Sequence, residues 1–156
     1  MNIQNRILAK ATTTQSQSNA IVVSFDFSWY KLLRAKKFRL IIRKRVPKTM
    51  KPKWMYCYIK LPKKAICACA EIVSVDNITK TEALMRSENI VLTSNEIQGY
   101  FGDLRLIGCY KIGKISFPKK EATIDDLSKQ LIYHPPQSFF ILSKNAKNLI
   151  DKICGF

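Results

Sequence analysis

Between Lys31 and Lys64 the chain carries fourteen basic side chains and no acidic one. The other 122 residues carry 13 basic and 11 acidic side chains, so the net charge of +16 belongs almost entirely to this one segment. Cations at that density attract polyanions, phosphate backbones above all, and they do so with steep salt dependence. Lys36, Lys37, Arg39, Arg43, Lys44 and Arg45 form the centre of the block and are the candidate phosphate ligands. Phe38, Trp54, Tyr56 and Tyr58 interleave with the cations. Rings beside cations can stack unpaired bases, which makes Trp54 and Tyr56 candidate binding residues, with Tyr58 beside them. The competing reading is that these strand aromatics fill a core.

Other reactive side chains offer less. The five cysteines, Cys57, Cys67, Cys69, Cys109 and Cys154, are odd in number and contain no CxxC pair. That spacing fits neither a secreted disulfide scaffold nor a four-cysteine zinc site, so reduced core thiols are expected. Cys67 and Cys69, two apart in a strand, are expected to share a face without a third or fourth ligand. His134 is the single histidine and adjoins Pro135, which suits packing better than base chemistry. Glu71 reads as an exposed strand-end charge, with hydrogen bonding to a base edge as the alternative. No metal and no cofactor is expected.

These side chains need a scaffold. Residues 1–19, ending in a Thr/Ser/Gln tract, read as a flexible leader. The β-branched and aromatic run 20–27 predicts a first strand, and Ser28 a helix cap for 28–37. Residues 38–46 predict a second strand by alternation. Phe38, Leu40 and Ile42 fall on one face, with Arg39, Ile41, Arg43 and Arg45 on the other. Residues 54–61 and 65–75, joined by Pro-Lys-Lys, predict a hairpin. Residues 79–87 and 93–101 predict short helices, the second with Thr93 and Glu96 at capping-box spacing. Residues 104–117 predict a long strand with bends at Gly108 and Gly113. A helical turn over 124–131, a last strand over 138–142 and a closing helix with Leu149, Ile150 and Ile153 inward complete the pattern. About six strands with short helices between them predict a mainly β, α+β domain over 20–156, most economically a small barrel.

At 156 residues and 47% apolar composition, one core can form. No apolar run approaches the roughly 20 residues needed to cross a bilayer. The N-terminus lacks an apolar signal stretch. A cytoplasmic protein without a membrane partner is expected.

The order of these elements resembles the ASCH domain of the PUA-like superfamily. The similar stretches are LLRAKKFRLIIRKRVPK, MYCYIKLPKKAICACAEI, SNEIQGYFGD, KIGKISF and HPPQSFFIL, spread over about residues 21 to 143. In the family's GxKxxExR hallmark, Ala35 stands for the glycine, Lys37 matches the lysine and Arg43 the arginine. The spacing is lengthened and the glutamate is missing. The resemblance implies a PUA-like barrel with a cleft beside a basic strand, suited to RNA, in a binding or regulatory module that acts in processes such as transcriptional regulation. Some small relatives hydrolyse the amide of acetylated cytidine with a lysine, a threonine and a glutamate. Lys37 and Glu88 match two of these as catalytic candidates, and the threonine has no counterpart. Three functions therefore stand: an RNA-binding module, an amidohydrolase acting on a modified nucleoside, and an interaction barrel whose basic face meets an acidic protein.

Overall fold

The computed structural model describes residues 16–128 and 138–156. Its elements are β1 (Gln17–Phe25), α1 (Trp29–Ala35), β2 (Leu40–Arg43), β3 (Trp54–Ile59), β4 (Ala65–Thr79), α2 (Lys80–Met85), α3 (Ser87–Ile90), α4 (Ser94–Phe101), β5 (Leu106–Ser116), β6 (Ala122–Thr123), α5 (Ile124–Ser128), β7 (Phe139–Ser143) and α6 (Lys144–Cys154). Of the expected leader, residues 17–19 already belong to β1 and residues 1–15 lie outside the described residues. His134, Pro135 and Pro136 lie outside them as well.

The strands form one sheet in the order β2-β5-β4-β3-β1-β7, with β6 paired to β4. β3 and β4 make the expected antiparallel hairpin. β1 runs parallel to β3, which is possible because α1 and β2 supply the crossover between them. The fold is thus mixed α+β. The small barrel expected from the sequence is an open one: among the described residues β2 pairs only with β5 and β7 only with β1, so the sheet is not closed. At four residues, β2 is a short edge.

Both faces of the sheet are covered, and the apolar run of β1 shows why. Ile21, Val23 and Phe25 enter the main cluster with Leu33, Ile41, Met55 and Ile59. Ala20 and Val22 enter a second cluster with Tyr56, Leu142 and Ile150 beneath α6. A third cluster packs Leu40 and Ile42 of β2 against Ala83, Ile90, Ile97 and Phe101 of α2, α3 and α4. In α6, Ile150 and Cys154 are buried, while Leu149 and Ile153 are half-buried.

Local signals hold where the chemistry is local. Thr93 accepts from the Glu96 amide at 3.2 Å and Glu96 returns the bond to the Thr93 amide, the reciprocal box that the spacing predicts. Thr79 and Ser143 cap α2 and α6 in the same way through their hydroxyls. Ser28 stands at the cap position of α1, but its side chain makes no capping bond.

The shared face expected for Cys67 and Cys69 is a second correction. Cys57 pairs with Ala68 and Tyr58 with Ile66, so Cys67 is the extra residue of a bulge. Beyond the bulge the side chains change sides, and Cys67 joins the main cluster while Cys69 joins the one beneath α6. The pairing of β4 with β5 slips again around Gly113, between Ala70–Ile115 and Ile72–Ile112, as the glycine suggested.

Gly108 carries a different constraint. A Cβ there would strike the Val46 side chain and lie 2.9 Å from the Arg43 carbonyl oxygen. Both obstacles are held by packing, so Gly108→Ala is expected to destabilise the fold by about 1–3 kcal/mol, read as a lower urea midpoint at unchanged m-value. All five thiols are free and buried. Burial raises Cys109 and Cys154 to about 11 and Cys69 to about 12. At pH 8 a thiol reagent should therefore find essentially no reactive cysteine in the native protein and five after denaturation.

Candidate functional site

β2 does not present an arginine-rich face. Leu40 and Ile42 pack against the helices, and Ile41 packs into the main core. Arg43, expected in the groove, is turned inward and half-buried. Its guanidinium lies 4.5 Å from the Phe25 ring centroid and 6.0 Å from that of Trp29. It donates to the carbonyls of Ile42 at 2.8 Å and Ser24 at 3.4 Å. Burial lowers its pKa from the ordinary arginine value, against smaller opposing effects from Tyr100 and Tyr110. The Tyr110 hydroxyl, close enough to feel that cation, is buried with no hydrogen-bond partner among the described residues. Arg43 thus floors a cleft of about 390 Å³ whose walls include Trp29, Tyr100, Asp26, Glu96 and Lys60.

The cations at the centre of the block gather at the two ends of β2. At its start, Lys36 takes a left-handed conformation (φ 52°) that ends α1. Its ammonium lies 5.5 Å from the Phe117 ring centroid. Lys36, Arg39 and Lys114 line a cleft of about 290 Å³ over Ile112 and Gly113. The Arg39 backbone is pinned there, donating to Asn89 and accepting from Ile112, both at 2.8 Å. At the far end, Lys44 and Arg45 join Arg43, Tyr100 and Ser138 around a cleft of about 330 Å³, with the Lys44 ammonium 5.6 Å from the Tyr100 ring centroid. Arg39 and Arg43 stand four positions apart along extended chain, about 13 Å.

Among the described residues, three of the fourteen cations pair with acids. Lys60 meets Asp26 at 3.4 Å, and Glu121 takes Lys63 at 2.8 Å and Arg34 at 3.9 Å. Lys36, Lys37, Arg39, Lys44 and Arg45 are exposed, with no ion pair to any described acid.

The expected aromatics separate. Tyr56 is 1% exposed and donates its hydroxyl to Asp151, so it offers no open ring face for stacking and lies in the floor of a cleft. Tyr58 is buried too. These two fill the core because the bulged hairpin lies under α6. Trp54 remains half-exposed and shares a cleft of about 440 Å³ with Phe117, Lys147, Asp151 and Phe156. Phe117, Lys114 and Phe156 escaped the sequence reading. They lie far along the chain from the basic block; the pairing of β5 brings Lys114 and Phe117 to it, and the docking of α6 brings Phe156. Glu71 is half-buried opposite Trp54 and beside Gly113.

Lys37 and Glu88 are both exposed, and neither lines the four clefts just described. The Arg39–Asn89 backbone bond brings their neighbours together, but no hydrogen bond or ion pair joins the two side chains themselves. Among the described residues no cluster of His, Cys, Asp or Glu could hold a metal ion. No helix there is long and apolar enough to cross a membrane.

The charge hub at Glu121 is structural. Burial raises its pKa, but bonds from Lys63, Cys67 and Tyr30 outweigh that and hold it below the ordinary carboxylate range. A depressed carboxylate contributes stability above its unfolded value, near 4.3, and loses it as pH falls through the folded value. Glu121→Gln should cost about 1 kcal/mol at pH 7, discounted for partial exposure, and nothing near pH 2, measured by urea unfolding at both.

No protein-family model matches the sequence, and no curated protein sequence does. Solved structures do match in shape. The ASCH protein from Zymomonas mobilis superposes with a TM-score of 0.79 at 17% identity, covering 86% of this chain and 95% of that one. A tyrosine-to-phenylalanine mutant of that protein gives 0.79 at 16%, covering 87% and 99%. The N-terminal domain of McrB from Staphylothermus marinus gives 0.52 at 11%, covering 88% and 95%. Over most of its length, then, this chain has the fold of the solved ASCH structures.

Proposed function

We propose that the protein is a nucleic-acid-binding module of ASCH fold, with RNA as its ligand. The observation that carries this reading is the cleft of Lys36, Arg39 and Lys114 beside the half-buried ring of Phe117. The three cations are exposed and pair with no described acid. Lys37 next to them, and Lys44 and Arg45 at the other end of β2, extend the cationic track. In free solution such a track is surrounded by counterions. A strand of phosphates displaces them, and their release drives binding. The basic edge and the neighbouring rings Phe117 and Trp54 suit a strand whose bases are accessible. In this reading Arg43 is a positioning residue. It ties β2 to β1 through the Ser24 carbonyl and forms the floor of the adjoining cleft.

Amide hydrolysis has no comparable support, because Lys37 and Glu88 share no described cleft and the threonine of the family pattern has no counterpart. An acidic protein would meet the same cations, so the experiment includes one. A labelled single-stranded RNA is titrated at about 50 and 200 mM salt against the protein and a Lys36→Ala, Arg39→Ala, Lys114→Ala variant. Three lost phosphate contacts should weaken binding at least tenfold and lower the slope of log K against log salt by about 2. Unchanged affinity and slope would remove these residues from the interface. Binding of an acidic protein but no RNA would overturn the assignment of ligand.

A further inference from the structure

Across β3, β4 and β5, Tyr56, Cys69 and Ser116 are successive cross-strand neighbours and form the floor of the 440 Å³ cleft. Trp54 and Phe117 flank that row, and both are half-buried. The opposite wall comes from α6. After Cys154 the chain turns at Gly155 (φ 74°), and the Phe156 amide donates back to the Asp151 carbonyl at 3.0 Å. This turn sets the Phe156 ring 5.9 Å from that of Tyr56 while leaving it 40% exposed. Three partly open rings therefore surround one volume.

The polar groups narrow what can enter. Asp151 accepts from the Tyr56 hydroxyl on one oxygen and from Lys147 at 2.8 Å on the other. Within the pair, Lys147 and Asp151 offset each other's charge. Lys147 keeps further N–H donors, and Ser116 offers a hydroxyl. A free anion gains little here. A flat ring with apolar faces and hydrogen-bonding edges fits, and the volume lies in the range of small-molecule sites. Cations stand just outside, with Lys53 6.0 Å from the Trp54 ring centroid and Lys36 5.5 Å from that of Phe117. Phe117 is thus shared between this cleft and the cation track.

We infer that this cleft receives one unpaired base of a single-stranded nucleic acid whose phosphates run along Lys36, Arg39 and Lys114. The inference rests on the nucleic-acid reading above and adds strand selectivity to it. Bases in a duplex have stacked faces and paired edges, so a duplex can use the track but not the cleft.

The test compares three oligonucleotides of matched length at one salt concentration: a single strand, the same strand with abasic sites, and a duplex. Binding is followed by anisotropy and by tryptophan fluorescence. The intact single strand should bind about tenfold more tightly than the abasic strand, the loss of one stacked base. It should also quench fluorescence, and Trp54→Phe should remove the quenching and so assign it to Trp54 rather than Trp29. If intact, abasic and duplex oligonucleotides bind alike with the same salt slope, the base cleft is wrong and the track survives. Quenching that persists in Trp54→Phe also overturns the cleft. If no strand binds even at low salt, the nucleic-acid reading itself falls.

Discussion

A charged side chain cannot enter an apolar interior without a partner, and β2 has apolar packing on both of its faces. Leu40 and Ile42 meet the helical layer and Ile41 meets the main core. Each cation at the centre of the block, Lys36 to Arg45, must therefore leave the strand at one of its ends or find compensation inside. Lys36, Lys37 and Arg39 leave at the start, and Lys44 and Arg45 at the end. Arg43 alone turns in, where two backbone carbonyls and two aromatic rings take the place of water. The distribution of positive charge follows from this packing.

The same logic separates the cations that stabilise the fold from those left for a partner. Glu121 gathers Lys63, Arg34 and the Tyr30 hydroxyl on the α1 side of the sheet. Asp26 takes Lys60. These pairs occupy Glu121 and Asp26, while no described acid forms an ion pair with Lys36, Arg39 or Lys114 along the track. Self-repulsion there destabilises the isolated protein slightly and is relieved by a bound polyanion. The aromatic cleft beneath α6 is different in kind, since its lysine and aspartate pair with each other and the rings of Trp54, Phe117 and Phe156 are partly open. Phe117 joins the two, so one extended ligand can meet both.

Much of the scaffold was legible because its causes are local. The Thr93–Glu96 box, the Thr79 cap, the Pro-Lys-Lys hairpin and the irregularity at Gly113 each follow from a few adjacent residues. The order of elements was legible too, and the ASCH resemblance drawn from it agrees with the shape. What failed was face assignment. Alternation assumes a regular pleat, and the bulge at Cys67 breaks it, sending Cys67 and Cys69 to opposite sides. Alternation also assumes one solvated face. β2 has none, because the side of Ile41 and Arg43 that would have been wet packs into the main core, while three short helices cover the side of Leu40 and Ile42.

By itself, then, the amino-acid sequence determined that a basic block exists, that strands and short helices flank it, and where most of them begin and end. These are properties of composition and short-range hydrogen bonding. Tertiary structure alone decided which cations remain in water, which rings stay open, and that Lys114, Phe117 and Phe156 stand with residues of the block far from them along the chain. Such proximity arises from strand pairing and helix docking across the sheet, and no spacing within one segment encodes it.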